Sequence, residues 1–289
     1  MTLARGVCDQ SQRQWLGAPA PAKLNLFLRV TGRRADGYHT LQTLFTFLDY
    51  GDTLDVMVTE DGSIGRQSPV IGVREEDDLS LRAARLLQQE AQVSQGAQLR
   101  LYKHIPVGGG LGGGSSDAAT TLLVLNRLWG LRWEPWRLAQ LGLKLGADVP
   151  VFVWGQTALA TGVGEELTPL TVPERWYLVV SPGVFVSTAA VFAAPDLTRN
   201  SNPVKIRDFS EGITGNDLQP VVERLYPEVA RLLRWLGKFG EAHMSGSGSC
   251  CFLVFSTAAE AQQVKSRLPS DYRGFVARGR QCHPLFHEV

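Results

Sequence analysis

Gly108-Gly109-Gly110-Leu111-Gly112-Gly113-Gly114-Ser115-Ser116-Asp117 runs directly into a helical pattern from Ala118 to Trp129, and this stretch decides the fold. Six glycines among seven residues cost conformational entropy on folding. That cost makes sense where the backbone must take conformations closed to other residues or approach a ligand closely. A glycine loop that opens a helix gathers N–H groups at the positive end of the helix dipole, and Ser115 and Ser116 add hydroxyls. The stretch therefore predicts a phosphate site. Gly114 is followed by Ser115 rather than by Lys, which excludes the Walker pattern. Gly108, Gly110 and Gly113 match the G-x-G-x-x-G dinucleotide spacing, but a second helix begins near Pro135 where that fold needs a strand ending in an acid.

Upstream of the loop, Gln98 to Ile105 reads as a strand ending at Pro106. From Ala22 to Val30 the chain alternates, with Leu24, Leu26, Leu28 and Val30 on one face. Lys23, Asn25, Phe27 and Arg29 lie on the other, so Lys23 and Asn25 are expected to point together off the core. Gly32 and Asp36-Gly37 signal a turn into a second strand carrying Leu41, Leu44, Phe45 and Phe47, a hairpin or its longer-looped relative. Leu79 to Gln92 has helical spacing, with Asp77 and Asp78 placed to cap it.

Downstream, Trp136 to Leu145 reads as a helix closed by Gly146, and Asp148-Val149-Pro150 leads into an expected apolar strand, Val151 to Trp154. Pro169 and Pro173 flank the expected boundary between a domain of residues 1–170 and one of residues 171–289. Beyond it Trp176 to Val180 and Cys250 to Phe255 read as strands, and Leu218 to Leu236 and Ala258 to Leu268 as helices. Interleaved strands and helices make the class α/β (α+β), and 289 residues suit two domains with a cleft between them.

The composition, 44% hydrophobic and 20% charged, is that of a globular protein. A net charge of +1 with scattered arginines gives no field for a polyanion, so no nucleic acid partner is expected. The longest apolar runs fall far short of the about 20 residues that a membrane-spanning helix needs, so no membrane is expected either. Cys8, Cys250, Cys251 and Cys282 lack zinc spacing and read as reduced thiols of a cytoplasmic protein. Met1 to Gly17 has no apolar segment of a secretory signal and is expected to be a poorly ordered extension.

Asp148, between Gly146 and Pro150, is read as held on a stiff turn. Together with Lys23 and Asn25 it supplies what phosphoryl transfer needs: a carboxylate for the hydroxyl proton and a cation that favours the charged base. Each could equally be structural on its own. Tyr38-His39 offers an aromatic face and an imidazole, suited to a nucleotide-bearing substrate or to plain packing. Ser245-Gly246-Ser247-Gly248-Ser249 is either a turn or a second donor of N–H groups across the cleft.

Pro21-Ala22-Lys23-Leu24-Asn25, Pro106 through Ala119, and Ser245 through Cys251 together resemble the GHMP small-molecule kinases. Arg34-Ala35-Asp36-Gly37-Tyr38-His39-Thr40-Leu41-Gln42 and Leu145-Gly146-Ala147-Asp148-Val149-Pro150-Val151-Phe152 extend the resemblance over nearly the whole chain from about Pro19. It implies a ribosomal-protein-like N-terminal domain joined to a ferredoxin-like C-terminal domain, with the active site in the cleft. It also implies ATP with Mg2+ as co-substrate and a cytidine diphosphate sugar alcohol as acceptor, in non-mevalonate isoprenoid precursor synthesis. Position by position, Asp148 matches the catalytic base and Lys23 its partner. ATP would lie against Lys103, Pro106, Gly108, Gly109, Gly110, Leu111, Gly112, Gly113, Gly114, Ser115 and Ser116. The acceptor would meet Asn25, Tyr38, His39, Asp148, Thr188, Phe192, Gly246 and Ser247, with cytosine between Tyr38 and Phe192 and His39 reading its edge.

Asp117 stands where relatives can carry Asn, and an added charge beside phosphate implies an outward-facing side chain. Ser115 or Ser116 is the nominee for a magnesium ligand through ATP-bound metal, and no tightly held metal is expected. The protein would act as a monomer or homodimer. A mevalonate- or homoserine-type kinase of the same family, and a nucleotide-binding protein without catalysis, remain the alternatives.

Overall fold

The alternation from Ala22 to Val30 belongs to a strand longer than expected, β2 (Gln14–Arg33), paired antiparallel with β3 (His39–Thr59). The turn between them uses Gly37 at φ +88° and closes with Arg34 N–H donating to Tyr38 O (2.7 Å). Register shifts between Pro21 and Lys23 and between Asn25 and Phe27 bend the ribbon and break strict alternation. As a result Ala22, Lys23, Leu24 and Asn25 are all buried. Lys23 and Asn25 therefore do not face solvent, contrary to expectation. The late Ser245 loop packs over them, with Ser245 Oγ accepting from Asn25 N–H (3.3 Å). The computed structural model describes residues 3, 6–70, 72–205 and 215–286.

The N-terminal stretch also departs from its expected disorder. Strand β1 (Val7–Asp9) pairs with the start of β2. Trp15 is buried in the first core, with the Arg127 guanidinium over its ring at 5.3 Å. A buried indole brings enough apolar area to order a short hairpin. Residues 1, 2, 4 and 5 of the expected extension lie outside the described residues.

The remaining strands are β4 (Ile64–Arg66), β5 (Gly96–Tyr102), β6 (Ala158–Thr161), β7 (Glu166–Pro169), β8 (Trp176–Ser181), β9 (His243–Met244), β10 (Cys251–Phe255) and β11 (Arg273–Arg280). Among the described residues the pairing runs β1-β2-β3-β11-β8-β10-β9, with β5 and β6 also on β3, β4 on β5 and β7 on β6. Strand β11 joins the halves, pairing along β8 and reaching β3 at Gly279↔Leu48 and Arg280↔Phe47.

Helix α1 (Leu79–Ala91) is capped by Asp78, whose carboxylate accepts from Ser80 N–H. Helix α2 (Gly113–Leu128) starts inside the glycine run and packs with α3 (Pro135–Leu143) against the sheet. The run expected as a strand after Asp148 is instead helix α4 (Val149–Trp154), closed by Gly155 at φ +67°. A short apolar run does not separate strand from helix, and Pro150 sits in the first turn, where a helix tolerates it. Helix α5 (Thr188–Ala193) follows β8. The expected helix from Leu218 to Leu236 is two, α6 (Gln219–Leu225) and α7 (Pro227–Leu236), because Pro227 removes a donor and clashes with the preceding turn. Helix α8 (Ala258–Lys265) opens with a capping box of Thr257 and Glu260.

One core lies under α1 to α4 and another under α5 to α8. A smaller cluster joins them, where Ala22, Leu24 and Leu111 meet Tyr177, Val179 and Phe252. No helix among the described residues is long and apolar enough to cross a membrane.

Candidate active site

The glycine run is pinned through its carbonyls. Gly109 O accepts from Cys250 N–H (3.0 Å) and Leu111 O from Lys23 N–H (3.0 Å), and Gly110 O accepts from Ser245 Oγ (2.9 Å). Gly110 has φ +74°, and a Cβ there would stand 2.2 Å from the Ser245 carbonyl oxygen, so only glycine lets the two loops touch. The first N–H groups of α2 have no intrahelical acceptor and no side-chain cap, which suits them to an anion.

Two adjoining cavities meet at this loop. The smaller, about 280 Å3, is lined by Lys103, Pro106, the run Gly108 to Gly114 with Leu111, and Ser115. The larger, about 850 Å3, is lined by Lys23, Asn25, Tyr38, His39, Asp148, Thr188, Phe192, Gly246 and Ser247. Gly108, Gly110, Gly112 and Ser115 border both. Ser116 borders neither: its N–H donates to Gly112 O (2.8 Å), and its hydroxyl is buried without a partner. Of the two serines, the cavities therefore expose Ser115 and leave Ser116 behind it.

Lys23, only 2% exposed, donates from Nζ to Asn25 Oδ1 (2.5 Å) and lies 3.2 Å from Asp148 Oδ2. Asn25 donates from Nδ2 to Thr43 Oγ1 (2.8 Å), and Thr43 in turn donates to Phe27 O. This chain fixes the amide so that its oxygen meets the ammonium. Asp148 sits in the turn just ahead of α4, as expected, with helical dihedrals, φ −85° and ψ −12°. Its side chain remains 35% exposed, open to the cavity.

Asp117 does not face outward as implied by the resemblance. It is buried and accepts from Lys103 Nζ (2.8 Å), which also donates to Asp52. Burial, with repulsion from Asp52, pushes the Asp117 carboxyl well above the usual carboxylate range against the pull of Lys103. Burial also works against the Lys103 ammonium, but Asp117 and Asp52 outweigh it and hold its pKa above the ordinary lysine value. Asp52 further accepts the N–H groups of His104 and Ile105, fixing the strand end beside the smaller cavity.

His39 stacks on Phe192, ring centroids 5.0 Å apart, while Tyr38 stands 67% exposed at the rim. Burial first, then the charges of Arg199 and Arg33, hold the His39 pKa below its usual 6.5. Thr188 and Ser247 share a hydrogen bond (2.7 Å). Residues that pattern did not single out complete the site. Asn216 donates to Met244 O and Gly246 O and so holds the late loop, and Arg199 binds His39. An Asn-Asp pair ahead of a helix was the available signal for Asn216; nothing local marks Arg199. Among the described residues no group of three or more His, Cys, Asp or Glu is placed to hold a metal ion.

Known proteins resemble this chain in sequence and in fold. The family of GHMP kinases N terminal domains matches residues 78–156, and that of GHMP kinases C terminal matches residues 197–274. A 4-diphosphocytidyl-2-C-methyl-D-erythritol kinase of Thiobacillus denitrificans is 57% identical over 94% of this chain and 98% of its own length. One of Pseudomonas paraeruginosa is 55% identical over 95% and 97%. The crystal structure of a 4-(cytidine 5'-diphospho)-2C-methyl-D-erythritol kinase superposes with a TM-score of 0.78 at 33% identity, covering 91% of this chain and 99% of that one. A homoserine kinase from Cytophaga hutchinsonii shares the fold at 14% identity, TM-score 0.66, over 83% of this chain and 90% of its own. The chain is an ATP-dependent kinase and belongs to the GHMP kinases, in the family of the 4-diphosphocytidyl-2-C-methyl-D-erythritol kinases.

Proposed function

We propose that the chain transfers the terminal phosphoryl group of ATP to the 2-hydroxyl of 4-diphosphocytidyl-2-C-methyl-D-erythritol, giving the 2-phosphate and ADP in non-mevalonate isoprenoid precursor synthesis. The observation that carries this reading is the buried Lys23 ammonium 3.2 Å from Asp148, in the cavity that shares Gly112 and Ser115 with the phosphate loop. Asp148 accepts the proton of the acceptor hydroxyl as its oxygen attacks the terminal phosphorus, and the bond to the ADP oxygen breaks. Lys23 orients the Asp148 carboxylate across their 3.2 Å contact and offsets negative charge on the transferred group, where its burial makes that charge count. The phosphates rest on the N–H groups of the run Gly108 to Ser115, with Lys103 beside them. Cytosine enters against Tyr38, His39 and Phe192, and Asn25, Thr188, Gly246 and Ser247 meet the rest of the acceptor.

Magnesium carried on the ATP phosphates would neutralise charge there. Ser115, which borders both cavities, is the protein hydroxyl suited to it. We take residues 1–170 and 171–289 as the two halves of the cleft. Cys250, Cys251 and Cys282 carry free thiols, which supports a reducing, cytoplasmic setting.

The test is ADP release by the purified chain with the cytidylylated methylerythritol, mevalonate and homoserine as acceptors. Turnover with the first alone is expected. Preference for either of the others would overturn the acceptor, and release with none would point to a binding protein.

A further inference from the structure

Arg199 ties together both walls of the pocket that holds His39. Its Nε donates to His39 Nε2 (3.0 Å). Its Nη1 donates to Leu197 O (3.1 Å), and its Nη2 to Phe192 O (3.0 Å) and Ala194 O (2.7 Å). One planar guanidinium thus grips the end of α5, which carries Phe192, and the first residue of β3, from the other half of the chain. The His39 ring lies against Phe192 with 28° between the planes, so it is fixed in orientation as well as in place.

A guanidinium has five donors, no acceptor and does not give up its proton. His39 Nε2 must therefore present its lone pair to Arg199. The ring is kept neutral by burial and by the neighbouring charges of Arg199 and Arg33. Its one proton then sits on Nδ1, which has no protein hydrogen-bond partner among the described residues. We infer that Arg199 is a positioning residue that locks His39 in the Nδ1–H tautomer and so makes the pocket favour a base with an acceptor at N3, cytosine, over one with a donor there, uracil. This rests on the reading of Tyr38, His39 and Phe192 as the cytidine pocket.

Cytosine offers a lone pair at N3, whereas uracil carries N3–H. Opposite a fixed Nδ1–H, uracil sets its own N3–H against a second donor, and discrimination follows from that unpaired group. Without Arg199 the imidazole is free to move its proton to Nε2 and accept from uracil instead.

The experiment compares wild type, Arg199→Met, Arg199→Lys and His39→Ala by steady-state kinetics with the cytidine acceptor and its uridine analogue. It also uses imidazole nitrogen-15 NMR of the wild type, with the His39 signals assigned by their loss in His39→Ala. The wild-type spectrum should show His39 protonated at Nδ1. In Arg199→Met the loss should fall on KM for the cytidine acceptor rather than on kcat or KM for ATP, and the cytidine-over-uridine ratio of kcat/KM should drop about tenfold. Arg199→Lys, which keeps a cationic donor, should recover part of that ratio. A wild-type His39 protonated at Nε2 overturns the inference even if Arg199→Met fails to fold. So does an unchanged ratio in a folded Arg199→Met protein whose His39→Ala counterpart has a raised acceptor KM. If His39→Ala itself leaves the acceptor KM unaltered, the cytidine pocket is wrong and the inference falls with it.

Discussion

Tyr38 stands at the cavity rim with two-thirds of its surface exposed, an arrangement that core packing does not explain and that stacking on a base does. Replacing it with alanine should raise KM for the cytidine acceptor roughly tenfold with KM for ATP unchanged; equal losses for both substrates would contradict the pocket. Asp117 poses a different question, because two acids share one ammonium in a buried site. Its folded pKa is raised above the unfolded value, so the folded state holds a proton that the unfolded chain has released. This group therefore subtracts stability once the pH rises above the ordinary carboxylate range, and subtracts more until the pH passes the folded value. Asp117→Asn, neutral at every pH, should make the protein more stable than its parent at pH 8, with a smaller advantage at pH 5, as read by urea denaturation. A variant that loses stability at pH 8 would show Asp117 ionised and well paired with Lys103.

At the scale of elements, the β1–β2 hairpin is anchored by Trp15 in the first core. Trp15→Ala should cost about 3 to 5 kcal/mol; a loss below about 1 kcal/mol in urea denaturation would return the segment to the status of a dispensable tail. A single Trp-Leu pair between Gln14 and Gly17 carries no period, and the burial of Trp15 is decided by α2 across the sheet. The glycine run and the cap at Asp78 were legible because their causes are local: backbone freedom in one, a carboxylate beside free N–H groups in the other. Helix α4 and the break at Pro227 were misread where a short apolar run or a continued helical period outweighed a proline. The burial of Lys23 and Asn25 could not be read at all. It depends on the strand bulges and on Ser245, far along the chain. The same holds for Arg199, whose partner is in another half.

Across the whole molecule, β11 closes the sheet of the first half and the residues after it dock there as well. His283 N–H donates to Gly155 O, and the ring is fully buried with its edge near Phe47. Burial drives its pKa down to about 3. The folded ring thus refuses a proton that the unfolded chain takes near pH 6.5, and stability present above that pH is lost as the pH falls toward 3. Between pH 7.5 and pH 5 this group should remove about 2 kcal/mol. His283→Met should flatten that part of the profile, whatever its effect at neutral pH; an unaltered slope would mean the ring titrates normally. The joined sheet brings the phosphate loop, Lys23, Asp148 and the late Ser245 loop into one cleft, and the account stands on what Asp148 does there. The most direct test is Asp148→Asn, with dissociation constants for ATP and acceptor measured beside single-turnover phosphoryl transfer. The account predicts both affinities within a few-fold of the parent and a transfer rate lower by about 100- to 10,000-fold; transfer within a few-fold of the parent would contradict it.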